Sequence, residues 1–328
     1  MQAVTQDSYG AADVLELSDI DVPAVGDDEV LIAVRAAGVD RGVVHLMTGL
    51  PYVVRLAGYG VRAPKNPVPG MDVAGVVVAT GRDVTRFAVG DEVLGIGRGT
   101  FAEVAVAPET KLVHKPSELS FTQAAALAIS GLTALQAVRD HGKLEAGDNV
   151  LILGSSGGVG SFAVQIAKAA GAHVTGVCSA RKASHVAELG ADEVIDYQTT
   201  DFSASGLQYD AIIDIGGNAS LSRLRRVLTP KGRLVITGGE NGGRWIGGTD
   251  RQLRALALSP FVSQSLRSFI ASENSGDLDA LVELVEQGAI SPQIDRTFPL
   301  TEAADAVRYV AGGRATGKVV VVPEQAAA

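Results

Sequence analysis

NVLILGSSGGVGSFAVQIAKAAG, residues 149–171, decides how this chain is read. Val150-Leu151-Ile152-Leu153 is a continuous apolar run, the pattern of a strand buried on both faces of a parallel sheet. A glycine turn follows, Gly154-Ser155-Ser156-Gly157-Gly158-Val159-Gly160. A helix comes next, with Phe162, Val164, Ile166, Ala167 and Ala170 on one apolar stripe and Gly171 at its C-cap. Strand, turn and helix N-terminus together make an anion site, because the first helical N–H groups have no intrahelical partner and the dipole favours a pyrophosphate. Glycine is needed where a Cβ would hold phosphates off the backbone. The spacing departs from G-x-G-x-x-G. Counted back from Gly160 and Gly157, the first glycine falls on Ser155, so the turn reads as a variant one residue longer. Ser155, Ser156, Gly157, Gly158, Val159 and Gly160 are the candidate pyrophosphate residues.

A chain of 328 residues is long enough for two domains, each with its own core. With 46% hydrophobic and 20% charged residues the composition is that of a globular protein. The net charge of −9 argues against nucleic acid or an anionic membrane as the main partner. Cys178 is the single cysteine, so no intramolecular disulfide forms and a reducing compartment is expected. No apolar run has the length of a membrane span, and MQAVTQDSYG lacks the features of a secretory signal. The expected location is cytoplasmic.

Residues 1 to 120 read as β-rich. Runs at Val14–Leu17, Glu29–Ala36, Asp72–Ala79, Asp91–Ile96, Phe101–Ala107 and Lys111–His114 are separated by turns such as Val25-Gly26-Asp27-Asp28 and Val89-Gly90-Asp91. The pattern suggests a small antiparallel barrel. From Leu119 the texture changes. Ser120 caps a helix through Thr122–Ile129, a second helical piece covers Gly131–Asp140, and strands then alternate with helices. Val174–Cys178, Glu193–Asp196, Ala211–Ile215 and Arg233–Thr237 read as strands, with helices at Lys182–Leu189 and Ser220–Leu228. This is the signature of a doubly wound parallel sheet. A helix around Asp250–Leu258, an edge strand at Leu266–Ala271 and a helix at Asp277–Gln287 follow, and the remainder returns to short strands ending in Lys318–Val322. Gly216, Gly238 and Gly239, at strand ends of this sheet, join the cofactor-binding set.

In the Rossmann layout the end of the second strand meets the adenosine ribose, about 20 residues past the glycine turn, and a carboxylate there selects NAD. Here the segment is Gly176-Val177-Cys178-Ser179-Ala180-Arg181-Lys182, with no carboxylate. Ser179 offers a hydroxyl, and Arg181 and Lys182 offer charge that oppose the helix dipole unless an anion lies near. A 2′-phosphate satisfies all three through charge-assisted hydrogen bonds, so NADP(H) is the expected cofactor.

Several stretches carry a family resemblance: Ala36-Ala37-Gly38-Val39-Asp40, Val68-Pro69-Gly70-Met71-Asp72-Val73-Ala74-Gly75, Phe87-Ala88-Val89-Gly90-Asp91-Glu92-Val93, Ser130-Gly131-Leu132-Thr133-Ala134, the Ser155–Gly160 turn, and Leu189-Gly190-Ala191-Asp192-Glu193-Val194-Ile195-Asp196-Tyr197. Together they resemble the medium-chain dehydrogenase/reductase superfamily, in its zinc-free branch similar to quinone oxidoreductase, from end to end. The resemblance implies an α/β protein in which a Rossmann doubly wound parallel sheet (124–271) is inserted in a GroES-like β-barrel catalytic domain (1–123 and 272–328). It implies a cleft between them for nicotinamide and substrate, and a homodimer. It also places Lys182 and Tyr197 against the 2′-phosphate and Thr133 near the nicotinamide.

Zinc members of the superfamily hold the catalytic metal with Cys and His. This chain has Asp40 where the first cysteine would fall, Met71 where the histidine would fall, and no cysteine near Ala128–Gly131. Asp40, Asp72 and His45 do not have the spacing of a known metal site, and a metal-free site is expected. Without a Lewis acid, hydride addition suits an already electron-poor carbon, as in a quinone or an α,β-unsaturated carbonyl. Asp40, His45 and Tyr52 are the catalytic candidates, on a segment that faces the nicotinamide in relatives. The long stretch Tyr52–Arg62 is expected to shape one cleft wall, and Arg244 and Trp245 a second. Two other readings stay open: a zinc-free NADP-dependent alcohol or carbonyl dehydrogenase, and a non-catalytic NADPH-binding sensor or crystallin-like protein.

Overall fold

The computed structural model describes residues 1–204, 206–239 and 243–324. The chain divides into two compact units, one made of Met1–Leu132, Glu273–Glu286 and the chain from Pro292 onward, the other of Thr133–Ser272 and Gln287–Ser291.

The first unit opens with β1 (Gln2–Thr5) and β2 (Glu16–Asp19), an antiparallel pair. β3 (Glu29–Val39) follows, then α1 (Arg41–Thr48), β4 (Asp72–Thr80), β5 (Glu92–Ile96), β6 (Val104–Pro108) and β7 (Leu112–His114). β3 is long enough to pair with both β4 and β6, and its alternating Val30, Ile32 and Val34 fill the barrel core. Next come α2 (Phe121–Ala125), opened by a Ser120/Gln123 capping box, and α3 (Ala128–Leu135). The helix expected over Thr122–Ile129 therefore breaks after Ala125. The Ile129 N–H donates instead to the Asp72 carboxylate (2.7 Å), and the Ala125 carbonyl lies 2.5 Å from where a Gly38 Cβ would stand. The same two contacts keep residues 124–132 with the barrel, so the first unit runs past the expected boundary at residue 123.

The second unit holds β8 (Asn149–Leu153), α4 (Gly158–Ala169), β9 (His173–Cys178), α5 (Ala183–Glu188), β10 (Glu193–Asp196), β11 (Tyr209–Asp214), α6 (Leu221–Arg226), β12 (Leu228–Ile236), α7 (Gly243–Ile246), α8 (Thr249–Leu258) and β13 (Ser265–Ser268). Its six strands are all parallel, in the order β10-β9-β8-β11-β12-β13. This is the Rossmann order, with the glycine turn leaving the central strand. Leu151, Ile152, Ile212 and Ile213 are fully buried, as strands covered on both faces require. Leu266 sits on the edge strand, as expected. Residues 287–291 belong here because the Gln165 amide exchanges two hydrogen bonds with the Ser291 backbone (2.8 and 3.1 Å).

The chain returns to the barrel with α9 (Ser275–Glu286), β14 (Ile294–Pro299), α10 (Ala303–Ala311) and β15 (Lys318–Val322). The seven-stranded sheet has the order β14-β15-β3-β4-β5-β7, with β6 on β3. Two expectations are corrected here. A helix stands in the supposed run of short strands, burying Ala303, Ala306 and Val307 at helical spacing. The β14–β15 pair is parallel in an otherwise antiparallel barrel, since α10 supplies the crossover that a parallel pair needs. Among the described residues no helix is long and apolar enough to cross a membrane.

Candidate active site

At the carboxyl end of β8 the chain turns sharply at Gly154, whose φ of +82° favours glycine. This is the first glycine of the turn, with the pattern Gly154-x-x-Gly157-x-x-Gly160. Gly157 is the N-cap of α4, and the first helical bond runs from the Ser161 N–H to its carbonyl (2.8 Å). A Cβ on Gly160 would stand 2.1 Å from the Gly154 carbonyl, so the turn's own backbone demands glycine there. Gly157 differs: its Cβ position has only one neighbour, 3.7 Å away. The protein leaves that space open, which fits a ligand's close approach. Ser155 is a correction. Its N–H and its hydroxyl both donate to the Val177 carbonyl (3.2 and 3.0 Å), so its donors stitch the turn to β9 and are not offered to a phosphate. Ser156 is buried, and Val159 and Gly158 lie in the first turn of α4.

Ser179, Arg181 and Lys182 form the short turn between β9 and α5. Arg181 is exposed, whereas Lys182 is only 8% exposed. Tyr197 follows β10; its N–H donates to the Cys178 carbonyl (3.1 Å) and its side chain is largely exposed. The structure thus brings the four adenosine-end candidates to one end of neighbouring strands. It also places the Asp196 carboxylate beside Cys178 in the β10–β9 register. Its oxygens accept from the Gln198 N–H (3.1 Å) and the Thr199 hydroxyl (3.2 Å), closing its own turn. Burial pushes the Cys178 thiol up.

The glycines after β11 and β12 are held by a pair that the sequence did not reveal. Asp214 is fully buried and takes the Arg251 guanidinium from α8. Arg251 also donates to the Ala219 (2.8 Å) and Gly238 (3.0 Å) carbonyls, while Asp214 accepts from the Gly217 N–H (3.0 Å). One buried ion pair therefore fixes both loops. A Cβ on Gly238 would lie 2.0 Å from the Ile215 carbonyl, and one on Gly239 2.7 Å from that of Gly247. The structure itself explains those two glycines. Gly216 would meet nothing closer than 3.6 Å, so space remains beside it. Thr133 is half-buried on α3. Residues 240–242, between Gly239 and α7, lie outside the described residues, and Trp245 on α7 is exposed.

In the barrel unit Asp40 is the N-cap of α1, accepting from the Val43 N–H (3.1 Å). Its other oxygen is enclosed without a protein partner among the described residues. His45 lies on α1, with Nδ1 2.9 Å from the Leu50 carbonyl. A carbonyl only accepts, so Nδ1 carries a proton toward it. Tyr52 begins the strap between α1 and β4, with the Arg55 guanidinium 4.8 Å from its ring centre. Behind α1 lies a second unforeseen pair. Lys318 on β15 donates to Asp72 Oδ2 (2.7 Å) and to the Ser130 hydroxyl (3.2 Å), and both charged groups are buried. Burial alone would lower the Lys318 ammonium, but Asp72, and after it Asp40, outweigh burial and hold it above the usual lysine range. Met71 stands close to Asp40: a Cβ on Gly42 would touch both side chains.

The strap and the barrel mouth border a cavity of about 580 Å³, lined by Val43, Met47, Tyr59, Lys65, Met71 and Ile96 among others. That volume suits a small-molecule ligand. The Tyr9 phenol donates to the Gly60 carbonyl (2.6 Å) and pins the strap.

Six parallel strands in Rossmann order with a glycine turn, joined to a GroES-like barrel, define the medium-chain dehydrogenase/reductase class. Residues 26–117 match the alcohol dehydrogenase GroES-like domain, and residues 189–321 match the zinc-binding dehydrogenase domain. The chain is 36% identical to a chloroplast envelope quinone oxidoreductase homolog of Arabidopsis thaliana over 98% of both chains. It is 34% identical to a mitochondrial NAD(P)H oxidoreductase of Bos taurus, over 98% of this chain and 89% of that one. Among solved structures, the quinone oxidoreductase of Coxiella burnetii superposes with a TM-score of 0.86 at 29% identity, over 98% of this chain and 99% of that one. The chain belongs to the medium-chain dehydrogenase/reductase superfamily, in its quinone oxidoreductase-like branch.

Proposed function

We propose that the chain is an NADPH-dependent, zinc-independent oxidoreductase that delivers hydride to a quinone or an α,β-unsaturated carbonyl. The observation that carries the reading is the pairing of two turns at one end of the six-stranded sheet, the Gly154–Gly160 turn and the cationic Ser179–Lys182 turn. The space kept at Gly157 and Gly216 fits a dinucleotide, with Ser156, Gly158, Val159 and Gly160 toward its pyrophosphate and Ser179, Arg181, Lys182 and Tyr197 toward its 2′-phosphate. Bound NADPH supplies the hydride. Relatives named as quinone and NAD(P)H oxidoreductases support the reaction class.

The residues do not fit a catalytic zinc. A thioether, Met71, stands in the imidazole's place; one Asp40 oxygen caps α1; and Asp72 already holds the Lys318 ammonium. Among the described residues no three His, Cys, Asp or Glu side chains gather as a metal site. The chain's own contribution is then positioning, a cavity for the acceptor, and a proton. Asp40 serves by setting the start of α1. The Tyr52 phenol, on the strap that follows α1, is the group assigned to give the proton. The open edge of β13, with Ile270 and Phe261 exposed near it, is the surface assigned to a homodimer.

NADPH oxidation against a panel of quinones, enones and simple ketones tests the function. Turnover of quinones or enones, unchanged by chelators, is the expected result. Tight NADPH binding with no turnover across the panel would overturn it, as would chelator-sensitive turnover of alcohols alone.

A further inference from the structure

The strap over the barrel cavity has a charge opposite to that of the chain. The protein carries a net −9, yet from Pro51 to Met71 it has Arg55, Arg62 and Lys65 and not one Asp or Glu. Arg55 is engaged, its guanidinium stacked on Tyr9 (4.3 Å) and its Nε donating to the Gly49 carbonyl (2.9 Å). Lys65 lines the cavity, and its N–H is bound to the Tyr59 carbonyl (2.8 Å), which fixes the lysine's backbone at the rim. The cavity's other two cations are neutralised, Arg98 by Glu29 (3.1 Å) and Lys111 by Glu273 (2.6 Å). Among the described residues Lys65 has no carboxylate within 4.0 Å. Val43, Met47, Val68 and Ile96 give the wall its apolar stretch, with Gln6 and Asn66 as its uncharged polar side chains. An uncompensated cation beside a largely apolar cavity concentrates anions there, the more so when the remaining surface repels them.

We propose that this cavity selects electrophiles with an apolar body and an acidic group, and that Lys65 is the residue that pairs with the acid. The proposal rests on the reductase reading above and names the substrate class of that site. Lys65 determines specificity and takes no part in the chemistry.

The test uses one α,β-unsaturated ketone with a remote carboxylate, and its methyl ester, at saturating NADPH. The two share a reacting centre and differ by one charge. The wild type is expected to show a KM roughly threefold or more lower for the acid, the scale of one exposed ion pair. Lys65→Ala should erase that difference and Lys65→Glu reverse it, with the change falling mainly on the acid's KM. Raising salt from roughly 0.01 M to roughly 1 M should also erase it, since screening collapses the range of an exposed charge. A wild type that handles the ester as well as the acid would overturn the proposal, as would Lys65 variants that alter only NADPH affinity. Calorimetric binding of the acid is the second readout. Lys65-dependent binding without turnover would sustain the cavity's selectivity and overturn the reductase reading, and no binding of the acid would overturn the selectivity.

Discussion

Replacing Lys318 with methionine removes one charge from a fully buried ion pair of the barrel. Methionine keeps most of the stem's length, so packing changes little, but among the described residues the fully buried Asp72 carboxylate keeps only the Ile129 N–H. Leaving one member of a buried pair uncompensated costs about 3–5 kcal/mol. For a protein of this size each kcal/mol moves Tm by roughly 2–4 °C, so a fall of about 10 °C is expected. The pH dependence has a definite sign. In the wild type the Lys318 ammonium is held above its ordinary value. Its contribution is therefore complete below the unfolded value of about 10.4 and is lost only as pH rises through the folded one. In Lys318→Met the titrating group becomes Asp72, whose carboxyl is pushed up first by burial and then by Asp40. A carboxyl raised in the folded state destabilises when ionised, so the variant should recover as pH falls. Adding Asp72→Asn should restore much of the loss, because replacing both members of a buried pair is close to neutral. Thermal melts of the parent, both single variants and the double variant across mildly acidic to mildly alkaline pH read all of this. A variant melting within about 1 °C of the parent, or a deficit that widens as pH falls, would refute the reasoning.

Gly160→Ala and Gly157→Ala should separate structural from ligand-imposed glycine. The first meets the Gly154 carbonyl at 2.1 Å and should lower Tm and abolish NADPH binding; the second meets only the Gly154 carbonyl at an ordinary 3.7 Å and should keep Tm while weakening NADPH at least ~10-fold, so unchanged binding would remove the pyrophosphate from that turn. Arg251→Met strands the buried Asp214 carboxylate and frees the loops after β11 and β12; it should cost about 3–5 kcal/mol in denaturant melts, and its NADPH affinity should fall while acceptor KM holds. An unaltered melt would show that the pair is not a clasp. Tyr52→Phe should lower kcat roughly 10- to 100-fold with NADPH KM unchanged, and wild-type kcat in that variant would assign the proton elsewhere.

Local pattern made much of the fold legible. The βα alternation after residue 149 is a repeated short-range signal, and it yields a sheet whose central strand, glycine turn and edge strand fall where the periodicity places them. α1 is only eight residues and α10 nine, too short for periodicity to stand out against flanking apolar strands. Ser155 misled because a hydroxyl in a glycine turn suggests a phosphate ligand, and nothing local reveals that β9 claims it. Gly154 opens the turn one residue before the place the spacing rule assigns, as the longer variant turn requires, and its positive φ is why glycine stands there. The two buried ion pairs were out of reach for a different reason. Asp72 and Lys318 stand 246 residues apart and Asp214 and Arg251 37 apart, so only the folded chain brings each carboxylate to its cation. Asp40 was legible as a notable residue, and the role the geometry displays for it is that of a helix cap.

Calorimetric titration with NADPH and with NADH, on the wild type and on a variant carrying Arg181→Ala and Lys182→Ala, tests the central claim most directly. The expected result is NADPH bound at least ~10-fold more tightly by the wild type, with the two dinucleotides brought to parity in the variant while NADH affinity holds. Equal affinities in the wild type would contradict the account.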